Sequence, residues 1–190
     1  MKKVVLLAIA MIATLTVSAQ RPVGGLTLKP MIGMTLATIT GGNADMKVGL
    51  AAGAELEYVM APQFALTGGL IYSMQGAKGT EMGADVTTNL DYLNIPVLAN
   101  YYIIPGLAIK AGLQPGFKLR GKSKYETAGH TEESDIHGGK TVDFSIPFGI
   151  SYEFSDFVID ARYQLGLTNI GEGSSKNSVF MFSVGYKFDL

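Results

Sequence analysis

The chain has 190 residues, 47% of them hydrophobic and only 16% charged, with 15 Lys and Arg against 16 Asp and Glu for a net charge of −1. That balance excludes a basic nucleic-acid binder, and the lack of any cysteine excludes a disulfide scaffold or a thiolate metal site. The charged share falls below the roughly 25% of a soluble domain, and Gly, at 24 residues, stands at nearly twice its usual share of about 7%.

Lys2 and Lys3 precede an apolar stretch of 14 residues, Val4 to Val17, followed by Val17-Ser18-Ala19. This is the basic, apolar and small-residue order of a secretory signal peptide. The stretch is short for a helix crossing roughly 30 Å of hydrocarbon. Cleavage is expected after Ala19, so that 1–19 is the signal and 20–190 the mature domain. Taking those 19 residues from 190 leaves 171, with 13 basic against 16 acidic side chains. Beyond the signal no apolar run reaches the ~18 residues of a spanning helix. A membrane crossing therefore falls to strands, which must close into a barrel because lipid satisfies no backbone group.

Alternating patterns predict strands at 26–39, 47–60, 64–76, 90–103, 107–120, 141–154, 157–169 and 178–189. In the sixth, Val142, Phe144, Ile146, Phe148, Ile150, Tyr152 and Phe154 share one face, against Asp143, Ser145, Gly149, Ser151 and Glu153 on the other. In the last, Phe180, Phe182, Val184, Tyr186, Phe188 and Leu190 oppose Met181, Ser183, Gly185, Lys187 and Asp189. Pro96, Pro115 and Pro147 fall inside strand patterns, where a residue without a ladder donor is unusual, and local bulges are expected there. Tight turns at 61–63, 104–106 and 155–156 alternate with longer connections at 41–46, 77–89, 121–140 and 170–177. Short turns thus share one rim and long connections the other, as in outer-membrane barrels with short periplasmic turns. The expected fold is all-β: an eight-stranded antiparallel up-and-down transmembrane β-barrel behind a cleaved signal peptide.

Alternation alone leaves open which face points inward, since a soluble ligand-binding barrel keeps its apolar face inside. Three features favour lipid outside. The polar face is rich in Gly and Ala, which suit a cramped eight-stranded lumen. Tyr and Phe, including Tyr58, Phe64, Tyr101, Tyr102, Phe154, Phe157 and Phe188, gather at strand ends like an interfacial girdle. Charge is also too sparse to coat a soluble exterior. The lumen is then expected to hold an ion-pair network of Lys29, Glu55, Glu57, Lys110, Lys118, Arg120, Asp143, Glu153, Asp160, Arg162 and Lys187. Buried charges must be paired, and near-balance fits a filled interior rather than an open pore.

The stretch YLNIPVLANYY at 92–102, GLQPGF at 112–117, ARYQLGLTNI at 161–170 and GYKFDL at 185–190 resemble the small outer-membrane β-barrel family common in Bacteroidetes and often labelled PorT-like. The resemblance spans the mature chain and implies an integral bacterial outer-membrane protein. Barrels of that kind often end in Phe, whereas Phe188 here is followed by Asp189 and Leu190.

The leading functional expectation is a structural or interaction protein in outer-membrane lipid, contacting another envelope or extracellular protein through residues 121–140. The alternative is a small porin or transporter of small solutes or ions. An enzyme is the weakest reading. His130 and His137 accompany Glu132, Glu133 and Asp135 in the longest connection, but seven residues apart on no regular element they define no metal site. The glycine-rich stretches at 41–43 and 171–173 follow no phosphate-loop spacing. No catalytic, cofactor or metal residue is assigned, and no nucleic-acid partner is expected.

Overall fold

The computed structural model describes residues 22–40, 45–81, 84–127, 130–135, 140–169 and 175–190. The expected signal 1–19 and its cleavage site lie outside them, as do His137 and parts of all four long connections. Eleven strands form one antiparallel sheet: β1 (Leu26–Thr40), β2 (Asp45–Ala61), β3 (Phe64–Glu81), β4 (Ala84–Asn94), β5 (Val97–Ile104), β6 (Leu107–Thr127), β7 (His130–Asp135), β8 (Val142–Phe154), β9 (Phe157–Gly166), β10 (Lys176–Tyr186) and β11 (Phe188–Asp189). Along the ring β1 pairs β2, β2 pairs β3, β3 and β6 each pair β4 and β5, β6 pairs β8, β8 pairs β9 and β9 pairs β10, with β7 attached to β6 alone. β1 pairs both β10, through Met31↔Gly185 to Thr40↔Lys176, and β11, through Leu28↔Phe188. The sheet is therefore closed, and a closed sheet leaves no bare edge in lipid.

Eight staves make this ring, because β4 with β5 and β10 with β11 are single staves briefly interrupted. The β4/β5 interruption is Pro96. β3 pairs β4 up to Ile71↔Asn94 and β5 from Gly68↔Val97, in one unbroken register. Pro96 has no N–H to give, yet its carbonyl accepts from the Gly69 N–H at 3.0 Å, and the Ile95 N–H reaches the Pro115 carbonyl at 2.9 Å. Only one ladder bond is lost, so this proline marks a gap without a slip. Around Pro147, likewise, the β6–β8 ladder passes from Ala111↔Phe148 to Gln114↔Ser145 without changing register. The expected bulge at neither proline is found.

Register shifts lie elsewhere, in β2–β3, in β5–β6 and, with the largest consequence for the site, in β4–β6. In β4–β6 the pairs Asp91↔Arg120 and Tyr92↔Lys118 leave Leu119 as an extra residue, and an inserted residue reverses the alternation beyond it. The expected loops at 77–89 and 121–140 are also largely paired. β3 and β4 continue to Glu81↔Ala84, and β6 runs on to Thr127 to pair with β7. They are hairpins rising past the barrel rim rather than irregular loops.

Burial fixes the orientation. Ile32, Leu113 and Ile159 are each more than 60% exposed, whereas Lys29, Glu55, Asp160 and Arg162 are at most 3% exposed. In a soluble protein such an arrangement would be inverted. The apolar face is the exterior, and Tyr58, Phe64, Tyr101, Phe154, Phe157 and Phe188 stand exposed around the short-turn rim. Tyr102 leaves that girdle. Its neighbour Tyr101 points out, so Tyr102 points in.

The inward glycines have two roles. A Cβ on Gly149 would lie 2.1 Å from the Ala161 carbonyl oxygen, so Gly149 lets adjacent strands approach. A Cβ on Gly69 would meet Glu55 Cγ at 2.7 Å and one on Gly185 would meet Lys29 Cγ at 2.8 Å. Those two leave room for charged side chains at the axis.

Candidate functional site

Seen from the short-turn rim, the interior is layered. The first ionic layer centres on Lys187, from the break between β10 and β11. Its Nζ donates to Glu57 Oε1 and Glu153 Oε2, both at 2.6 Å. Glu57 also accepts from Tyr102 OH at 2.9 Å and Asn100 Nδ2 at 2.7 Å. Two carboxylates share one ammonium, and neutral donors supply the remaining hydrogen bonds.

The second layer centres on Arg162 of β9. Its guanidinium meets Glu55 at 2.6 and 2.9 Å and Asp160 at 2.5 and 2.9 Å. The fork geometry of guanidinium suits two carboxylates at once. Lys29 pairs with Glu55 at 2.7 Å, and Lys110 with Asp160 at 2.9 Å. Glu55 on β2 and Arg162 on β9 come from well-separated staves, so the pair reaches across the lumen. These two layers contain eight buried charges, four of each sign.

Above the second layer Met31, Ala51, Ile71 and Met181 form an apolar belt, which polar-face arguments do not anticipate. Beyond it, toward the long-connection rim, Gln75, Asn94, Gln114, Gly116, Asp143, Ser145, Gln164, Asn177 and Val179 line a narrow recess. Asp143 there is buried and accepts from Thr168 Oγ1 at 2.7 Å and Asn177 Nδ2 at 2.8 Å. Asn177 Nδ2 also faces Tyr92 OH across the ring at 3.4 Å.

Of the eleven charged residues expected inside, Lys29, Glu55, Glu57, Lys110, Glu153, Asp160, Arg162 and Lys187 meet in the two layers. Asp143 is inside but belongs to neither layer. Lys118 is half-buried at the mouth, and Arg120 is exposed. The Leu119 bulge is the reason: it carries Arg120 to the outer face, opposite Asp91. The neutral amides Gln75, Asn94, Gln114, Gln164 and Asn177 were missed as site residues, although the inward phase of their strands would have found them.

At the outer end Lys122 Nζ and Glu133 Oε2 pair across the β6–β7 hairpin at 2.9 Å. The hydrogen bond from Lys122 holds the Glu133 carboxyl below the usual carboxylate range. His130 pairs in register with Thr127 at the hairpin's end. Among the described residues no three His, Cys, Asp or Glu side chains converge as metal ligands.

A closed antiparallel ring with an apolar exterior and a charged, hydrogen-bonded interior defines an integral β-barrel of the bacterial outer membrane. The chain belongs to the outer membrane protein beta-barrel domain family, whose sequence profile matches residues 19–172. Its fold is similar to that of Ail, the attachment invasion locus protein of Yersinia pestis, solved with the heparin analogue sucrose octasulfate. The identity is 17% and the TM-score 0.55, over 86% of this chain and 99% of that one. Neisserial surface protein A is similar at 11% identity and TM-score 0.50, over 86% of this chain and 97% of that one. No curated protein matches.

Proposed function

We propose that this barrel is a non-catalytic structural or interaction protein, exported by residues 1–19 and contacting another envelope or extracellular protein through the segment 121–140. Its lumen is filled rather than conducting. The observation that carries this reading is the Arg162–Glu55–Asp160 layer, in which Arg162, beside Asp160 on β9, reaches Glu55 on β2 across the lumen, with contacts of 2.5 to 2.9 Å. An eight-stranded lumen is just wide enough for side chains to fill, and a solute would have to break these pairs to pass. The outward contact surface is supported by the β6–β7 hairpin, which projects past the rim and alternates charge along its pairs, as in Lys122↔Asp135 and Lys124↔Glu133. A closer kinship with PorT-like barrels rests on the stretches at 92–102, 112–117, 161–170 and 185–190.

Small-solute passage is the second reading, favoured by the polar recess on the outer side. Planar-bilayer recordings on the purified, folded protein separate the two. The filled-lumen reading expects no steady single-channel conductance, and a stable conducting state overturns it. For the contact role, pull-down from detergent-solubilised outer membranes is expected to recover a partner with the full chain and to lose it when 123–134 is replaced by a short Gly-Ser turn. Recovery of the same partner by the truncated chain overturns that assignment.

A further inference from the structure

The charges of the two ionic layers cancel. Among the described residues four fully buried cations face five fully buried anions, and the ninth of these charges sits on Asp143 in the outer recess, where the inward cations Lys47 and Lys118 are only half-buried. Among the described residues the two carboxylate oxygens of Asp143 are engaged only by neutral donors, Thr168 Oγ1 and Asn177 Nδ2. No Lys or Arg among the described residues lies within ion-pair distance of it. A buried carboxylate without a counter-charge is costly.

A second observation points the same way. Asn177 and Gln114, at 4% and 2% exposure, each line this recess with a side-chain oxygen that has no protein partner. The Asn177 orientation is fixed chemically, because its nitrogen must face the carboxylate it donates to at 2.8 Å, which leaves Oδ1 as the spare acceptor. The Gln114 nitrogen is occupied by Gln164 Oε1 at 3.1 Å. One carboxylate and two unsatisfied amide oxygens therefore share a recess with room for about one bare ion or one water molecule, and no donor among the described residues answers them.

We propose that this recess binds one small cation, held by the Asp143 carboxylate with the amide oxygens of Asn177 and Gln114. Oxygen-only donors of this kind suit hard cations such as sodium, potassium or calcium; the charged end of a primary amine presents the same chemistry. The site lies on the long-connection side of both ionic layers, so loading from outside requires no passage through them. It does not depend on whether the lumen conducts.

The test is thermal unfolding of the folded protein in detergent at neutral pH. Sodium, potassium, calcium or methylammonium chloride is titrated against N-methylglucamine chloride at constant ionic strength. At least one of the four is expected to raise the midpoint saturably, and its identity separates a metal ion from an amine. Asp143→Asn keeps the shape and removes the charge, and it should abolish the rise. Gln114→Leu keeps the charge and removes one oxygen, and it should weaken the apparent affinity about tenfold. That second variant also covers the case in which Asp143→Asn does not fold. A flat response of the unaltered protein to all four salts overturns the proposal, as does an unchanged response in either folded variant.

Discussion

At the residue scale the barrel depends on charges whose partners come from distant staves. Arg162 is the clearest case, since its guanidinium joins Glu55 on β2 to Asp160 on its own strand. Removing one partner of a buried network leaves the others uncompensated, typically at about 3–5 kcal/mol. Arg162→Ala is therefore expected to lower unfolding free energy by about that much in urea titrations of the vesicle-inserted protein. Arg162→Lys should lose less but remain below the parent, because an ammonium cannot fork onto two carboxylates. A change under ~1 kcal/mol for the Ala variant would mean that Lys29 and Lys110 suffice for the two acids. The residues of this layer were legible because each occupies an inward position of a regular alternation. Arg120 was not, because Leu119 carries no chemical mark of an inserted residue and only the neighbouring strand reveals it. Pairings such as Asn177 with Asp143 were equally illegible, since they join staves 34 positions apart in the chain.

At the element scale the strands divide into those the ring needs and one it does not. β7 pairs only with the distal end of β6, through Lys122↔Asp135 to Thr127↔His130. Cutting 123–134 removes β7 together with the four outermost β4–β6 pairs, Asp85↔Glu126 to Thr88↔Ser123, and leaves the remaining stave pairs in place. Replacing 123–134 by a short turn is expected to shift the unfolding free energy by less than ~1 kcal/mol, with heat-modifiable gel mobility retained. A chain that no longer folds would assign the hairpin to the folding core. The extra length of β3, β4 and β6 escaped sequence reading because 77–89 and 121–140 are polar on both faces, so burial imposes no alternation there. Pro96 misled in the opposite sense: it resembles a strand breaker, yet the carbonyl on its far side keeps the ladder in step.

At the scale of the whole molecule the outer surface is set by the lipid it meets. Phe182, exposed midway along β10, faces the hydrocarbon centre. Phe182→Arg should cost about 2–4 kcal/mol in folding into bilayers, whereas the same change near the girdle, at Phe188, should cost about 1 kcal/mol or less. Equal costs at the two depths would contradict this placement in the membrane. The overall architecture was the most legible level. Period-two alternation, turn spacing and sparse charge all act over many residues at once, so a single irregularity such as Leu119 leaves the total signal unchanged.

The seam between β1 and β10 runs from Thr40 and Lys176, 136 residues apart, to Met31 and Gly185 at its other end, and Leu28 meets Phe188 just beyond these. The polypeptide that opens the ring during translation must wait, unpaired on one flank, for nearly the whole remainder to be made. Closure of the ring therefore needs both end strands, and a chain halted anywhere between them leaves a ribbon with two unsatisfied margins rather than a smaller cylinder.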